Sequence, residues 1–281
     1  MDLHAALEEG WRCLSALSAG RVEAEILLAQ SLSAPRSFLY ANPELELPDA
    51  RTAEYRALLH RRARGEPMAY ITGHREFWSL RLQITPDVLI PRHETELLVE
   101  SALEFLPAGE CARVADLGTG SGAVALAIAS ERPHSEIHGT DTEPAAVDLA
   151  RRNARELGLE RVHFHTGSWF SPLSGPFGLV VSNPPYIGHD DPHLREGDCR
   201  FEPRQALTDN ADGLAALREI IMQAPDWLAS GGWLMLEHGR DQGAAVRELM
   251  AAQGFEQVAT RRDLAGHERV TLGRAGPHGT M

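Results

Sequence analysis

Hydrophobic positions change their period along this chain, and the changes divide it. Leu3, Leu7, Trp11 and Leu14 recur at three- and four-residue steps behind Asp2, which predicts a capped helix that Gly20 ends. A second helical run goes from Val22 through Ile26, Leu27 and Leu28 to Leu32 and is broken by Pro35. Pro48 suits the first turn of a third helix, which carries Tyr55, Leu58 and Leu59 and ends in Arg61-Arg62-Ala63-Arg64 before Gly65. Residues 1–68 are therefore expected to form a small helical domain. From Ala69 to Leu89 the apolar residues Tyr70, Ile71, Phe77, Trp78, Leu80, Leu82 and Ile84 read as short strands punctuated by Gly73 and Pro86, a hairpin linker over 69–89.

Beyond the linker, an amphipathic helix runs through Leu97, Leu98, Leu103 and Leu106, and strand and helix patterns then alternate. Strands are expected at 113–117, 136–140, 162–165 and 179–182, with helices at 123–130 and 145–157 between the first three. A helix at 214–228, a strand at 233–236 and a helix at 244–252 follow. The last two strand-like pieces, 255–260 and 269–272, lie too close together for a crossover helix and should pair antiparallel. Such alternation predicts an α/β domain over 90–275, a Rossmann-like, mostly parallel sheet covered on both faces with an antiparallel last strand. Residues 276–281 read as a frayed tail.

Composition narrows the setting. The chain of 281 residues is 43% hydrophobic, enough for a substantial core. It has no apolar run of about 18 residues. The start Met1-Asp2-Leu3-His4 lacks the basic, then apolar, character of a signal peptide, so a cytoplasmic protein is expected, with no membrane partner. Cys13, Cys111 and Cys199 are too few and too scattered for a disulfide framework or zinc knuckle and are expected to be reduced and mostly structural. The net charge of −13 argues against life on bare phosphate backbone. Residues 1–85 hold 10 Arg against 11 acidic residues, so the deficit lies almost wholly in the second segment. The Arg61–Arg64 cluster reads either as a solvated helix end or as a docking patch.

Four strand ends carry candidate chemistry. After Val114-Ala115-Asp116-Leu117 comes Gly118-Thr119-Gly120-Ser121-Gly122, a loop able to lie against a ligand in front of a helix N-terminus. Asp141 closes the second strand, where a carboxylate can accept from both hydroxyls of a ribose. Gly118, Gly120 and Ala123 equally fit a dinucleotide pattern, so this segment alone also permits NAD. After the fourth strand stands Asn183-Pro184-Pro185-Tyr186, either a plain strand-terminating turn or a rigid platform of amide, carbonyl and ring. Gly118, Asp141, the Gly167-Ser168-Trp169-Phe170 stretch and Asn183 follow four successive strands, so a doubly wound sheet would bring all four to one crevice. Trp169 can border an adenine or be a partly buried core indole. The polar run 187–213 is long enough for a substrate-facing lid. His163 and His165 share a strand face without further metal ligands, so no metal is expected.

These residues resemble the HemK/PrmC-type protein-(glutamine-N5) methyltransferases, which methylate the Gln of the Gly-Gly-Gln motif of peptide-chain release factors from S-adenosylmethionine. The resemblance spans nearly the whole chain: Tyr70-Ile71-Thr72-Gly73, Glu76-Phe77-Trp78, Ile90–Glu96, Asp116–Gly122, Asn183–Tyr186, Phe201-Glu202-Pro203, Leu236-Glu237-His238-Gly239 and Glu268-Arg269-Val270. His93 replaces a usual second proline, and Ser168 replaces an Asp before the Trp, removing one polar contact near the adenine.

The resemblance implies a class I methyltransferase fold and S-adenosyl-L-methionine as cofactor, leaving as S-adenosyl-L-homocysteine. Gly118, Thr119, Gly120, Ser121, Gly122, Asp141, Trp169 and Asn183 would hold it. Asn183, Pro184, Pro185 and Tyr186 would grip the substrate amide, with Asn183, Pro184 and Tyr186 catalytic. The N-terminal helices would recognise class I release factors, with no direct nucleic-acid contact and a monomeric enzyme. The alternative is an adenine-N6 methyltransferase acting on DNA or RNA, since an exocyclic amine poses the same problem. A dehydrogenase would leave the Asn183–Tyr186 platform without a task, and a binding module without activity would leave the whole site without one.

Overall fold

The computed structural model describes residues 1–276 and divides into two compact units between His74 and Arg75. The first unit is helical: α1 (Leu3–Cys13), α2 (Gly20–Ser31), α3 (Arg36–Ala41), α4 (Asp49–Ala63) and α5 (Met68–Thr72). Asp2 caps α1 by accepting from Ala5 N at 2.7 Å. Leu3, Leu7, Leu14, Leu27, Leu28, Leu39, Tyr55, Leu59 and Ile71 form its core.

Two expectations fail in this unit. Gly20 does not end the first helix but starts α2, because a Cβ there would lie 2.0 Å from the Leu14 carbonyl oxygen and only glycine permits the approach. Residues 69–72 are not strand but α5. Ala69, Tyr70 and Ile71 are buried in succession without alternation, Pro67 precedes the turn, and Gly73 closes it at φ 76°. The hairpin is correspondingly short, β1 (His74–Phe77) with β2 (Leu80–Gln83). The arginine cluster is largely spoken for: Arg61 pairs with Glu66, and Arg62 with Glu23 at 2.8 Å.

After the hairpin come α6 (Glu96–Glu104), β3 (Arg113–Leu117), α7 (Ala123–Glu131), β4 (Glu136–Asp141), α8 (Pro144–Glu156), β5 (His163–Thr166) and β6 (Phe177–Ser182). The unit continues with α9 (Arg204–Leu207), α10 (Ala215–Trp227), β7 (Leu228–Glu237), α11 (Gly243–Ala252), β8 (Glu256–Arg262) and β9 (Glu268–Arg274). Seven strands form one sheet in the order β5-β4-β3-β6-β7-β9-β8. The strands β3 to β7 pair in parallel, whereas β9 runs antiparallel to both β7 and β8. Val114, Ala115, Leu117 and Val180 are fully buried, as strands covered on both faces require.

Strand order reverses between β3 and β6, where consecutive connections leave in opposite directions. Such a switch point opens a crevice beyond the strand C-termini. Among the described residues no helix is long and apolar enough to cross a membrane. The tail expected at 276–281 lies, past Gly276, outside the described residues. Cys13 and Cys111 are exposed rather than structural, and all three cysteines are free.

Candidate active site

At the end of β3 the chain makes three left-handed turns, at Gly118 (φ 72°), Gly120 (φ 54°) and Gly122 (φ 83°). Gly118 N and Thr119 N both donate to Thr140 O at 2.8 Å, which ties the loop to the end of β4. Asp141 secures it further: Oδ2 accepts from Gly120 N at 2.9 Å and Oδ1 from Glu143 N at 3.0 Å. Burial raises the Asp141 carboxyl above its ordinary value, and these backbone donors oppose the rise. Beneath the loop, Asp116 Oδ2 accepts from Thr119 Oγ1 at 2.7 Å and from Ala125 N in the first turn of α7 at 3.2 Å. Burial pushes its carboxyl up to about 6.

A cavity of about 190 Å³ lies over these strand ends. Its walls include Gly118, Thr119, Gly120, Ser121, Asp141, Trp169, Asn183 and Pro185. Gly122 is not among them; its missing Cβ would press on Ala150, Leu126 and Phe164 at 3.1–3.2 Å, so its glycine serves helix packing. Trp169 unites both of its readings. Its ring borders the cavity beside Gly118 and also packs on the hydrophobic core, from a backbone held at φ 45°.

The platform after β6 divides its work. Asn183 faces the cavity, with Nδ2 donating to Thr95 Oγ1 at 3.1 Å, and its Oδ1 accepts no hydrogen bond among the described residues. Pro184 is buried and does not reach the wall, whereas Pro185 does. The Tyr186 ring packs on the core instead of lining the cavity, and its hydroxyl donates to Glu237 Oε1 at 3.2 Å. Burial pushes the Tyr186 phenol up, so it stays a donor. Burial also pushes the Glu237 carboxyl up to about 7, against the hydrogen bond from Tyr186 and the nearby Thr95 hydroxyl. Ser182 Oγ donates to Leu117 O at 2.7 Å and locks the two central strand ends together.

Thr95, Asp116, Glu202 and Glu237 stand in motifs legible in the sequence, which assigns them no role at the site. A carboxylate ending an apolar strand, as in Leu234-Met235-Leu236-Glu237, is a usable signal, since it will be buried there. Thr95, in the polar run Arg92–Glu96, gives none.

Glu202 pins the segment 187–213 to the cavity wall. Its buried side chain accepts from Ile90 N at 3.0 Å and pairs with Arg92, while Gln205 and Ala206 just beyond it line the cavity. Glu202→Ala leaves a buried N–H and a guanidinium unpaired, at about 1–3 kcal/mol. Hydrogen exchange should then lose protection across 187–213 while β3 and β4 stay protected. Between β4 and β5, His138 Nδ1 and His165 Nε2 are 3.2 Å apart; among the described residues no group of three or more His, Cys, Asp or Glu has the arrangement of a metal site.

Both units of the chain resemble known proteins. The PrmC N-terminal domain family matches residues 5–73, and the methyltransferase small domain family matches residues 94–195. A release factor glutamine methyltransferase of Xylella fastidiosa (strain Temecula1) is 52% identical over 90% of this chain and 93% of its own. That of Escherichia coli (strain K12) is 49% identical over 98% of this chain and 99% of its own. Among solved structures, a methyltransferase from Pyrococcus furiosus matches with TM-score 0.54 at 18% identity, over 70% of this chain and 89% of that one, a likeness of fold. With half of its residues shared with such relatives along almost its full length, the chain belongs to the release factor glutamine methyltransferase family.

Proposed function

We propose that this protein transfers a methyl group from S-adenosylmethionine to the side-chain amide nitrogen of the Gly-Gly-Gln glutamine in class I peptide-chain release factors. It would do so in the cytoplasm, as a monomer, with residues 1–68 recognising the release factor and 90–275 carrying the chemistry. The carrying observation is Asn183 lining the same cavity as the Asp141-pinned glycine loop, its Oδ1 unengaged.

The residues present fit a nucleoside. Gly120 has open space where a Cβ would stand, so backbone can meet a ligand directly. Each Asp141 oxygen holds one backbone N–H and keeps a lone pair for a ribose hydroxyl. Trp169 offers an apolar ring at the wall. S-adenosylmethionine, when bound, supplies an electrophilic methyl on a sulfonium.

The chain's own task concerns the acceptor. An amide nitrogen is a poor nucleophile because its lone pair is shared with the carbonyl, a delocalisation on the scale of the ~18–20 kcal/mol rotation barrier. Asn183 Oδ1 would accept one N–H group at the cavity wall, and the carbonyl of Pro184, a buried residue behind that wall, would have to be met over Pro185 to accept the other and turn the lone pair toward the methyl. Fixed proline geometry aims the second acceptor. Tyr186 acts from behind the platform, by holding it, because its ring belongs to the core. Orientation of this kind is worth up to roughly 7–11 kcal/mol in well-aligned systems.

Adenine-N6 methylation remains the second reading, since a ring-conjugated amine suits the same acceptors. The acidic charge of −13 disfavours a nucleic-acid groove. Labelled S-adenosylmethionine offered with a release factor, its Gln→Ala variant and an oligonucleotide separates the two. Label is expected on the intact release factor alone; label on the oligonucleotide would overturn the assignment.

A further inference from the structure

Helix α8 carries a residue that its own pattern does not call for. Ala146, Val147, Leu149, Ala150 and Ala154 make its buried face, and Asn153 stands among them at helical spacing with 1% of its surface exposed. Asparagine is a poorer helix former than the alanines around it, and a buried amide costs free energy unless it is hydrogen-bonded. Here it is bonded at both ends. Asn153 Oδ1 accepts from Gln83 N at 2.7 Å, while Nδ2 donates to Gln83 O at 3.1 Å and to Ser121 O at 2.9 Å. That orientation is forced, since a backbone N–H only donates and the two carbonyls only accept.

The two partners lead to two walls of the cavity. Gln83 ends β2, and Asn153 meets both its N–H and its C=O, as a neighbouring strand would. Four residues on, the chain enters the wall with Asp87, Val88 and Leu89, and Ile90 N is then held by Glu202 Oε1 at 3.0 Å. Ser121 belongs to the glycine loop and lines the cavity too. Ala125 N, the ordinary helical partner of the Ser121 carbonyl, donates instead to Asp116 Oδ2 at 3.2 Å. The carbonyl turns to Asn153, which lies behind the wall, and so faces into the protein.

We propose that Asn153 is a positioning residue for the cofactor: it clasps the glycine loop to the segment 83–91, so that both walls meet the nucleoside in fixed register. The inference rests on the S-adenosylmethionine site proposed above. Asn153 touches neither cofactor nor acceptor, and the platform at Asn183 has its own support from Thr95. Loss of the clasp should therefore weaken cofactor binding and leave the chemistry alone.

Asn153→Leu removes all three bonds without shortening the side chain, and Asn153→Asp keeps an acceptor for Gln83 N while setting oxygen against the two carbonyls. In both, the Kd for S-adenosylmethionine by calorimetry should rise roughly tenfold, since hydrogen bonds to buried carbonyls are lost. With a release factor as acceptor, KM for the cofactor should rise in step while kcat at saturation stays within about twofold, a split that general loosening of the fold would not give. Without cofactor, the Gln83 N–H should exchange with solvent roughly fivefold faster in Asn153→Leu, the worth of one ordinary hydrogen bond, and at the parent rate in Asn153→Asp. In the parent protein itself, added S-adenosylmethionine should slow exchange at Gln83 as well as in the glycine loop, because the clasp joins them. Parent-like Kd in both variants, lower melting temperature with Kd unmoved, or no slowing at Gln83 overturns the proposal. A parent protein that binds no S-adenosylmethionine would sink the cofactor assignment instead, and Gln83 exchange in Asn153→Leu would still judge the clasp. One that binds the cofactor but methylates no release factor would sink the acceptor assignment alone, with the Kd comparison intact.

Discussion

Asn183→Ala is expected to bind S-adenosylmethionine much as the parent protein does while methylating its acceptor on the order of 10²–10³-fold more slowly, the range seen when one preorganised polar group at a reacting centre is removed. The cofactor should be spared because the loop that would hold it is pinned from elsewhere. Thr140 O receives Gly118 N and Thr119 N at 2.8 Å, and Asp141 receives Gly120 N. The acceptor has no such second support. Asn183 Oδ1 is the side-chain oxygen of the platform that faces the cavity, and truncation leaves only a backbone carbonyl to meet two N–H groups. Calorimetric titration with the cofactor and single-turnover transfer check the two halves separately. Near-parent transfer would remove Asn183 from the chemistry.

Asp141→Ala should do the converse. The carboxylate would lose its hydrogen bonds to ribose hydroxyls, each charged bond being worth about 1.5–3 kcal/mol, so the Kd for S-adenosylmethionine should rise by roughly one to two orders of magnitude for each bond lost. The loop would also loosen, because Gly120 N and Glu143 N lose their acceptor together. Asp141→Asn keeps one neutral oxygen and should fall between the two. With saturating cofactor, turnover by Asp141→Asn should approach that of the parent, since Asp141 lies on the far side of the glycine loop from the acceptor platform. An unaltered Kd in Asp141→Ala would show that the ribose lies elsewhere.

Much of this architecture could be read in advance because its signals are local. The strands β3 and β6 are almost wholly buried, and their ends at Leu117 and Ser182 coincide with the expected ones. The helix α5 was hidden because a four-residue apolar run carries no decisive period. The strand β7 begins at Leu228, earlier than expected, because its pairing with β6 jumps from Leu228 opposite Phe177 to Trp233 opposite Leu179, and Ser230-Gly231-Gly232 between them reads as a turn. At the site, Gly118, Gly120, Asp141 and Asn183 each sit at a strand end with the composition their geometry demands. Tyr186 and Gly122 stand in the same motifs but serve the core and the packing of α7, a distinction set by partners far away in the chain. Thr95 lies 88 residues from the Asn183 whose Nδ2 donates to it, and Glu237 lies 51 from Tyr186. Neither pairing leaves a local trace.

The most direct measurement is tandem mass spectrometry of a release factor after one turnover with the purified protein and S-adenosylmethionine. One methyl group is expected on the side-chain nitrogen of the Gly-Gly-Gln glutamine, formed by the parent protein and not by Asn183→Ala. A methyl on any other atom, or the same methyl formed at the same rate without Asn183, would contradict an amide clamp at the end of β6.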